Sequence, residues 1–581
     1  MATNAQIAEN FEEIAVLSEI LGANAFKVNA FRRAARSIEA LTTDAATMDL
    51  NALKAIDGVG ASTAAKVVEF VTTGAMSELN ELRAQVPPGL KEVLNVQGIG
   101  PKTARTLWTE AGVVDLATFK AAIDAGVVAK LPRMGPKTIE NMKESIAFAE
   151  SARGRIRIGE AAPLADALVT ELGALPFVQR VSFAGSLRRG KETIGDLDIL
   201  ASSTDVPRLM EVFRTRSEVA KVLATGDTKT SVLTHQGVQV DLRVVPIESF
   251  GAALQYFTGS KEHNVRLRER AISQGFRLNE YGLFKTASEG KIPEDAPNVA
   301  SREEHDIYAA LGLAWMPPTM REDRGEFDAF ELAAKHPGII TIEDIKAELH
   351  SHTTASDGAL SIDQLITHAQ SRGFHTIAIT DHSKSQFQAN GLDDARLLTH
   401  IAAIHAARAR FPHMQIWAGS EVDILSDGTL DYSDELLAQL DWVVASPHAA
   451  LKQDPKLATE RILKAIRHPL VHVIGHPTGR LVNGRPGLDL AMNELYAAAH
   501  EHHTALEING HSVRLDLRDT HVRGAMEAGC MIAINCDVHG ADDFNELRYG
   551  VATAQRGWLA PSQCINCFDA HTLDAWRRRK R

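Results

Sequence analysis

Between residues 345 and 539 the sequence returns seven times to one unit, a short apolar and β-branched run that ends, in six of the seven cases, on a His, Asp or Glu. The runs are Ile345–His352, Ile377–His382, Trp417–Glu421, Trp442–His448, His472–His476, Ala505–Asn509 and Met531–His539. Segments such as Leu392–Phe411 separate them and carry the 3- and 4-residue spacing of an amphipathic helix. Strand and helix alternating in this way imply parallel strands, and strands that all finish on polar side chains imply a βα barrel with its chemistry at their C-terminal ends. A distorted (βα)7 barrel over residues 343–581 is therefore expected. Nine residues lie at those ends: His350, His352, Asp357, His382, Glu421, His448, His476, Asp537 and His539. Their mixed nitrogen and oxygen donors suffice for up to three divalent cations with Glu421 bridging, and so many imidazoles suit Mn²⁺ or Zn²⁺ better than Mg²⁺. Clustered cations polarise a phosphoryl oxygen and acidify bound water, so the chemistry expected here is phosphoester hydrolysis. Of the 23 histidines, 19 lie from His350 onward. Those outside the strand-end motifs, such as His400 and His500, are read as surface residues or as supports for the ligands. Arg480 is read as an exposed arginine rather than a phosphate contact.

The front of the chain is built on other rules. Residues 51–300 carry 31 basic and 29 acidic side chains, whereas residues 301–350 carry 5 and 11 and include the charged run Arg321–Glu326. A linker over 319–342 is expected. The net charge of −12 argues, averaged over the chain, against a nucleic-acid binder, but its acid excess falls in the linker and the barrel half. The first 150 residues are helical in pattern, and two stretches share the order apolar-x-Gly-apolar-Gly-x-x-x-Ala: Ile56–Ala64, with Gly58 and Gly60, and Val96–Ala104, with Gly98, Gly100 and Lys102. Paired glycines allow a tight turn that exposes backbone N–H groups at the next helix's N-terminus, where a DNA phosphate can sit without any base being read. A third copy, at Gly135, has Arg133 in place of its first glycine. From residue 151 strand-like runs appear, at Val178–Ala184, Asp196–Leu200 and Gly237–Val245. Strand parity puts Asp196 and Asp198 on one face, and Asp241 can join them from a neighbouring strand. Three carboxylates together need divalent cations, and an oxygen-only set suits Mg²⁺ or Mn²⁺. The loop Gly185-Ser-Leu-Arg-Arg-Gly190 precedes them and is placed to hold a polyphosphate.

That loop with the Asp-x-Asp pair resembles the nucleotidyltransferase signature, and Tyr256–Asn264 with Gly275–Phe284 narrows it: residues 1 to about 320 resemble a family X DNA polymerase. The motifs HSHT, TDHS, GSE, SPH, GHP and DVH of the back half resemble the polymerase and histidinol phosphatase (PHP) domain. The resemblance implies helix-hairpin-helix regions at 1–85 and 86–150, an α/β nucleotidyltransferase palm at 151–250, a thumb at 251–318 and the PHP domain at 343–581. It implies that Asp196, Asp198 and Asp241 hold two catalytic metals, that Gly185, Ser186, Arg189, Gly195 and Gly259 surround the incoming triphosphate, and that Tyr256 and Phe257 exclude a ribose 2'-hydroxyl. Asn264 would meet the incoming base and Arg268 the template. In the PHP domain, His350, His352, Glu421 and Asp537 would share one metal, Glu421, His448 and His476 a second, and Asp357, His382 and His539 a third. Lys66 stands where animal relatives carry a Schiff-base lysine for 5'-deoxyribose phosphate removal, and a plain phosphate contact is the other reading of it.

The function so implied is template-directed filling of short gaps during base excision repair. The PHP half would supply 3'-5' exonuclease activity, with abasic-site cleavage and 3'-phosphatase activity as further family reactions. Gapped or nicked duplex DNA and dNTPs are the expected partners, and the chain is expected to act as a monomer. Two alternatives stay open, a PHP half acting on a small phosphate monoester and a DNA-binding scaffold with an inactive polymerase site. The acidic start, lacking a basic leader and an uninterrupted apolar core, and the absence of a long apolar run, point to a cytoplasmic protein off the membrane, and the resemblance implies association with the bacterial nucleoid. Four cysteines, at 530, 536, 564 and 567, are too few for a disulfide framework and are read as packing residues.

Overall fold

A computed structural model describes residues 4–579 except 40–44, 57, 95, 97, 98, 133, 137, 141, 144, 145, 147–153, 287–297 and 332–337. Contacts divide the chain into two compact units, Met1–Arg153 and Gly154–Arg581. The first is helical. Asn4–Ile20, Ala25–Glu39, Ala61–Thr73 and Ser77–Gln85 enclose one apolar core around Phe11, Phe31 and Val67. Pro101–Ala111 and Leu116–Asp124 enclose another around Leu107 and Phe119. Local chemistry sets the helix starts: Asp115 forms a capping box with Thr118, and Gly60 and Gly100 stand as side-chain-free N-caps. Arg133, of the third glycine motif, lies outside the described residues.

The second unit begins with a five-stranded sheet in the order Val178–Phe183, Asp196–Ser203, Gln239–Val244, Lys229–Thr234, Val219–Thr225. Its central pair is parallel and the other pairings are antiparallel. Helices Ile158–Gly173 and Val206–Arg214 bury Leu168, Leu172, Leu209 and Phe213 against it. A three-stranded antiparallel sheet follows, with helices Phe250–Thr258, Lys261–Ser273 and Glu304–Ala310. His263, fully buried, bridges Glu326 at 2.8 Å and Tyr308 at 2.9 Å. The described part of the stretch from 319 on is packed: Met320, Phe327 and Phe330 join the core of this layer, and Arg321 is buried against Glu304 at 2.6 Å.

Residues from 345 form seven parallel strands in sequential order: Ala347–Glu348, Thr376–Ile379, Gln415–Asp423, Trp442–Ser446, Val473–Ile474, Ala505–Asn509 and Ile532–Asn535. The first and last meet through a parallel bridge between Ser351 and Val538, so the sheet closes at its C-terminal end as a (βα)7 barrel. Every residue of these strands except Gln415 is buried, which is why they read as continuous apolar runs. Trp417, Trp442, Val473 and Ala505 fill the inside near the strand starts, where Leu573 and Trp576 of the last helix, Ala570–Arg578, close the end. Cys530, Cys536 and Cys564 are buried free thiols and Cys567 is half-buried. Among the described residues no helix is long and apolar enough to cross a membrane.

Candidate active sites

In the palm, the parallel strands Asp196–Ser203 and Gln239–Val244 stand in a register that sets Asp198 beside Asp241. Strand parity then brings Asp196 to the same face, and ligand oxygens of the three lie within 4.8 Å of one another. Burial first, and then the charges of Asp196 and Asp241, push Asp198 up to about 6. Asp241 moves the other way: burial opposes ionisation, but hydrogen bonds from Lys229, Ser231 and Gln239 outweigh it. The Lys229 ammonium sits 2.6 Å from Asp241. A carboxylate trio whose middle member resists ionisation, with one cation beside it, is a site short of positive charge, and this donor set fits Mg²⁺ or Mn²⁺.

The loop after strand Val178–Phe183 is placed by Gly185. Its φ is +61°, and a Cβ there would fall 2.2 Å from Asp198 Oδ2, so only glycine lets the loop lie on the carboxylates. Ser186 is half-buried in the turn Gly185–Arg188, and Gly195 immediately precedes the carboxylate strand. Arg189 donates through Nε to Glu322 at 3.1 Å and through Nη1 to the Thr258 carbonyl, beside Gly259. Phe257 lies under the Arg243 guanidinium at 4.5 Å and packs edge-on against Tyr256. Asn264 is tied inward, accepting from Gln255 and donating to the Tyr256 carbonyl, each at 2.7 Å, while Arg268 Nε donates to the Asn264 carbonyl.

In the first unit, Gly58, Gly60 and Gly100 are described and Gly98 lies outside the described residues. Gly60, Gly100 and Lys102 are exposed at the starts of helices Ala61–Thr73 and Pro101–Ala111. Lys66 pairs with Glu78 at 3.0 Å, donates to Ser62 at 3.1 Å and lies over the Phe31 ring.

At the barrel mouth the nine strand-end residues converge. Three groups each bring donor atoms within 4.8 Å of one another: His352, Asp357, His382 and His539; His350, His352 and Asp537; and His382, Glu421 and His448. His476 Nε2 reaches Glu421 Oε1 at 2.8 Å. His350 Nε2, His352 Nε2, His382 Nδ1, Glu421 Oε2, His476 Nδ1 and Asp537 Oδ1 are buried and make no hydrogen bond. Buried polar atoms are almost always paired, so these unpaired nitrogens and oxygens, of which those of His350, His352, His382, Glu421 and Asp537 face one another, fit divalent cations. Burial opposes the charged forms of His350, Glu421 and Asp537, yet Glu507, Asp537 and Glu421 hold His350 well above the ordinary imidazole range, and the imidazoles hold Glu421 and Asp537 well below theirs. His352, flanked by His539 and His382, is pushed down to about 4 by burial and those neighbours.

Around these residues stands a shell that spacing does not disclose. Glu507 accepts from His350 Nδ1 at 2.8 Å, from Asn535 Nδ2 at 2.8 Å and from the His476 backbone N–H at 2.7 Å. Asp423 accepts from His448 Nδ1 and from Gln386. Asp381 accepts from Thr353, from Ser356 and from His400 Nε2 at 2.7 Å, fixing the loop that carries Asp357. Such partners set which imidazole nitrogen faces a cation. Arg514 Nε lies 3.8 Å from Asp537, and its Nη1 is buried without a hydrogen bond. Glu507 is the middle residue of Ala505–Asn509, the one strand-like run whose end supplies none of the nine, and its inward parity is the only signal the sequence offers for it. Arg480 corrects the reading of an exposed arginine: it is 3% exposed, and it bonds to the Leu515 carbonyl and to Glu192 of the palm at 2.7 Å, because the barrel is covered by the palm at that point.

Models of known protein families match four stretches of the chain: a helix-hairpin-helix domain over residues 2–76, a SAM-like helix-hairpin-helix tandem over 90–147, the DNA polymerase beta thumb over 253–322 and the PHP domain over 348–511. The chain is 35% identical over 570 residues, 98% of each protein, to the DNA polymerase/3'-5' exonuclease PolX of Bacillus subtilis (strain 168). It is 26% identical to DNA polymerase lambda of Rattus norvegicus, over 46% of this chain and 48% of that one. With a probable phosphatase of Thermoanaerobacter sp. (strain X514) it shares 25% identity, over 40% of this chain and 95% of that protein.

Proposed function

The chain belongs to the family X DNA polymerases that carry a C-terminal PHP domain, and on that footing we propose that it fills short gaps in duplex DNA with one half and removes 3'-terminal nucleotides with the other. The observation that carries the reading is the presence of two separate ligand clusters of different chemistry, three carboxylates in the palm and, at the barrel mouth, eight grouped imidazoles and carboxylates with His476 reaching Glu421 as the ninth. Mg²⁺ or Mn²⁺ in the palm, and up to three Mn²⁺ or Zn²⁺ in the barrel, would supply charge neutralisation and acidified water when bound. The chain's own groups do the rest. In this reading Asp196 and Asp198 would hold both palm cations and Asp241 would help bind the catalytic one and prepare the primer 3'-hydroxyl, while Ser186 and Arg189 grip the triphosphate beside Gly195 and Gly259. Tyr256 and Phe257 leave no room for a 2'-hydroxyl, and Asn264 and Arg268 face the nascent pair. Backbone N–H groups at Gly60 and Gly100, with Lys102, hold phosphates of gapped or nicked DNA, and Lys66 serves as a phosphate contact or as a lyase nucleophile. Gap filling after trimming of a damaged 3' end suits base excision repair, with abasic-site cleavage and 3'-phosphate removal as companion reactions of the barrel.

The test is one gapped-duplex assay in Mg²⁺ and in Mn²⁺ with wild type and two double variants. Asp196→Ala with Asp198→Ala abolishes incorporation and spares 3'-end degradation, and His350→Ala with His352→Ala does the reverse. Metal-dependent exonuclease activity surviving in the histidine variant would refute the assignment to the barrel. The similarity to a probable phosphatase favours one other reading, a barrel that hydrolyses a small phosphate monoester. It predicts turnover of such a monoester by wild type with DNA 3' ends left intact.

A further inference from the structure

The phosphate loop of the palm does not end in solvent. Gly190, its last residue, has φ +64° and lies so close to the barrel helix Leu547–Arg556 that a Cβ there would stand 3.0 Å from Ala552 Cβ, 3.3 Å from Thr319 Cγ2 and 3.8 Å from Arg556 Cδ. Arg556, at the end of that helix, has a side chain 4% exposed, and each of its three guanidinium nitrogens is hydrogen-bonded. Its Nη1 donates to the Arg189 carbonyl at 2.9 Å and to Glu322 Oε1 at 2.8 Å, and its Nε and Nη2 donate to Asp519 at 3.1 and 2.9 Å. The same Glu322 oxygen accepts from Arg189 Nε at 3.1 Å, and Lys191 stands 3.5 Å from its other oxygen. Two residues beyond Gly190, Glu192 is held by barrel residue Arg480. Arg189 thus has its carbonyl clamped by the barrel and its guanidinium plane set by Glu322 and the Thr258 carbonyl, which leaves Nη2 for a phosphate oxygen.

We propose that Arg556, though it belongs to the nuclease barrel, is a positioning residue of the polymerase site, holding Arg189 and its loop in the orientation that receives the triphosphate of the incoming nucleotide. The inference rests on Arg189 being a triphosphate-binding residue. The physical reason is that Glu322 is one carboxylate shared among three cations. With Arg556 present its charge is divided, and Arg189 keeps part of its own for the nucleotide. Without Arg556 the carboxylate turns to Arg189 and competes with the triphosphate, while the Arg189 carbonyl and the loop's seat on the helix are released.

The experiment is single-nucleotide incorporation on a gapped duplex by the full chain, with 3' exonuclease rate and unfolding temperature measured on each protein. Arg556→Ala is expected to raise KM for the dNTP about tenfold, with kcat within about twofold and the exonuclease rate unchanged, because the Arg556 guanidinium acts on nucleotide binding through Arg189. Arg556→Lys, which keeps the charge and most of the volume, is expected to fall between the two. Arg189→Ala alone should raise KM, and Arg189→Ala with Arg556→Ala should be no worse than Arg189→Ala, since the second change acts only through the first. An unchanged KM in Arg556→Ala, with or without a lower unfolding temperature, overturns the proposal, as does a double variant whose penalties multiply. An unchanged KM in Arg189→Ala overturns the reading of Arg189 beneath it.

Discussion

Glutamine in place of Glu507 is the sharpest test of how the barrel holds its cations. The two Glu507 oxygens receive three donors, His350 Nδ1 and Asn535 Nδ2 on Oε1 and the His476 backbone N–H on Oε2, at 2.7 to 2.8 Å, and the residue is fully buried. Glutamine keeps the shape but has one acceptor oxygen and one NH₂ group. Whichever way the amide is turned, a donor meets a donor: either the His476 N–H loses its acceptor, or the His350 ring and Asn535 lose theirs. A buried donor left unpaired costs about 1–3 kcal/mol, so the metal-free variant should unfold earlier than wild type. The variant also deprives His350 of the carboxylate that directs its Nε2 toward Asp537 and Glu421, each 3.4 Å away. Loss of such a partner lowers metal affinity by about 10–100-fold, equivalent to about 1.4–2.7 kcal/mol. Calorimetric titration of Mn²⁺ into chelator-treated wild type and Glu507→Gln, followed by exonuclease and incorporation assays, reads this out. Weaker Mn²⁺ binding and slower exonuclease at limiting Mn²⁺, with incorporation intact, are expected. An unchanged Mn²⁺ affinity would refute the argument that Glu507 orients the His350 ligand.

Metal removal should also be visible in stability: saturation at about a hundred times Kd contributes about 2.7 kcal/mol, so chelation should lower the barrel's unfolding temperature by about 5–11 °C, and a scan showing no shift would count against a bound cation. In the palm, Asp198 titrates near 6 without metal, so below that pH a cation must displace a proton. The Mg²⁺ concentration for half-maximal incorporation should then rise about tenfold per pH unit below 6, and a flat dependence between pH 5 and 7 would contradict it. Glu304 binds Arg321 and Arg188 at 2.6 and 2.7 Å, and these guanidiniums, against the opposing effect of burial, hold its carboxyl far below the usual 4.5. A depressed folded pKa contributes stability that is complete above 4.5 and fades as pH falls toward the folded value. Glu304→Gln should therefore cost about 3 kcal/mol at pH 7 and less at pH 4, and equal losses in denaturant melts at the two pH values would show that the pair is not the source.

Much of this architecture is legible residue by residue. Short apolar runs ending in His, Asp or Glu announce the barrel strands, because a strand buried on both faces is apolar throughout most of its length and carries ligand-type side chains chiefly where it leaves the sheet. Asp196 and Asp198 share a face by parity alone. The place of Asp241 is another matter, since only the parallel register that sets it beside Asp198 brings it within reach. The roles of Glu507, Asp423 and Asp381 are not given by sequence spacing: Glu507 reaches His350 from across the barrel, while Asp423 reaches His448, and Asp381 reaches Thr353 and His400, through the packing of adjacent strands and their loops.

Charge arithmetic places an acid-rich stretch near residue 320 and suggests a linker, yet Arg321, Glu322 and Phe327 are packed there, Arg321 against Glu304, Glu322 between palm and barrel. Arg480 reads as a surface arginine because sequence carries no record of which loop will cover it. By itself, then, the sequence determined the family, the order of the folds and the two sets of ligand-type residues, because those follow from local periodicity and from donor chemistry. Tertiary structure alone decided that the Gly185–Gly190 loop of one half is seated on a helix of the other, with Arg556 donating to the Arg189 carbonyl and sharing Glu322 with its guanidinium, because that contact joins residues 367 positions apart and no local pattern encodes it.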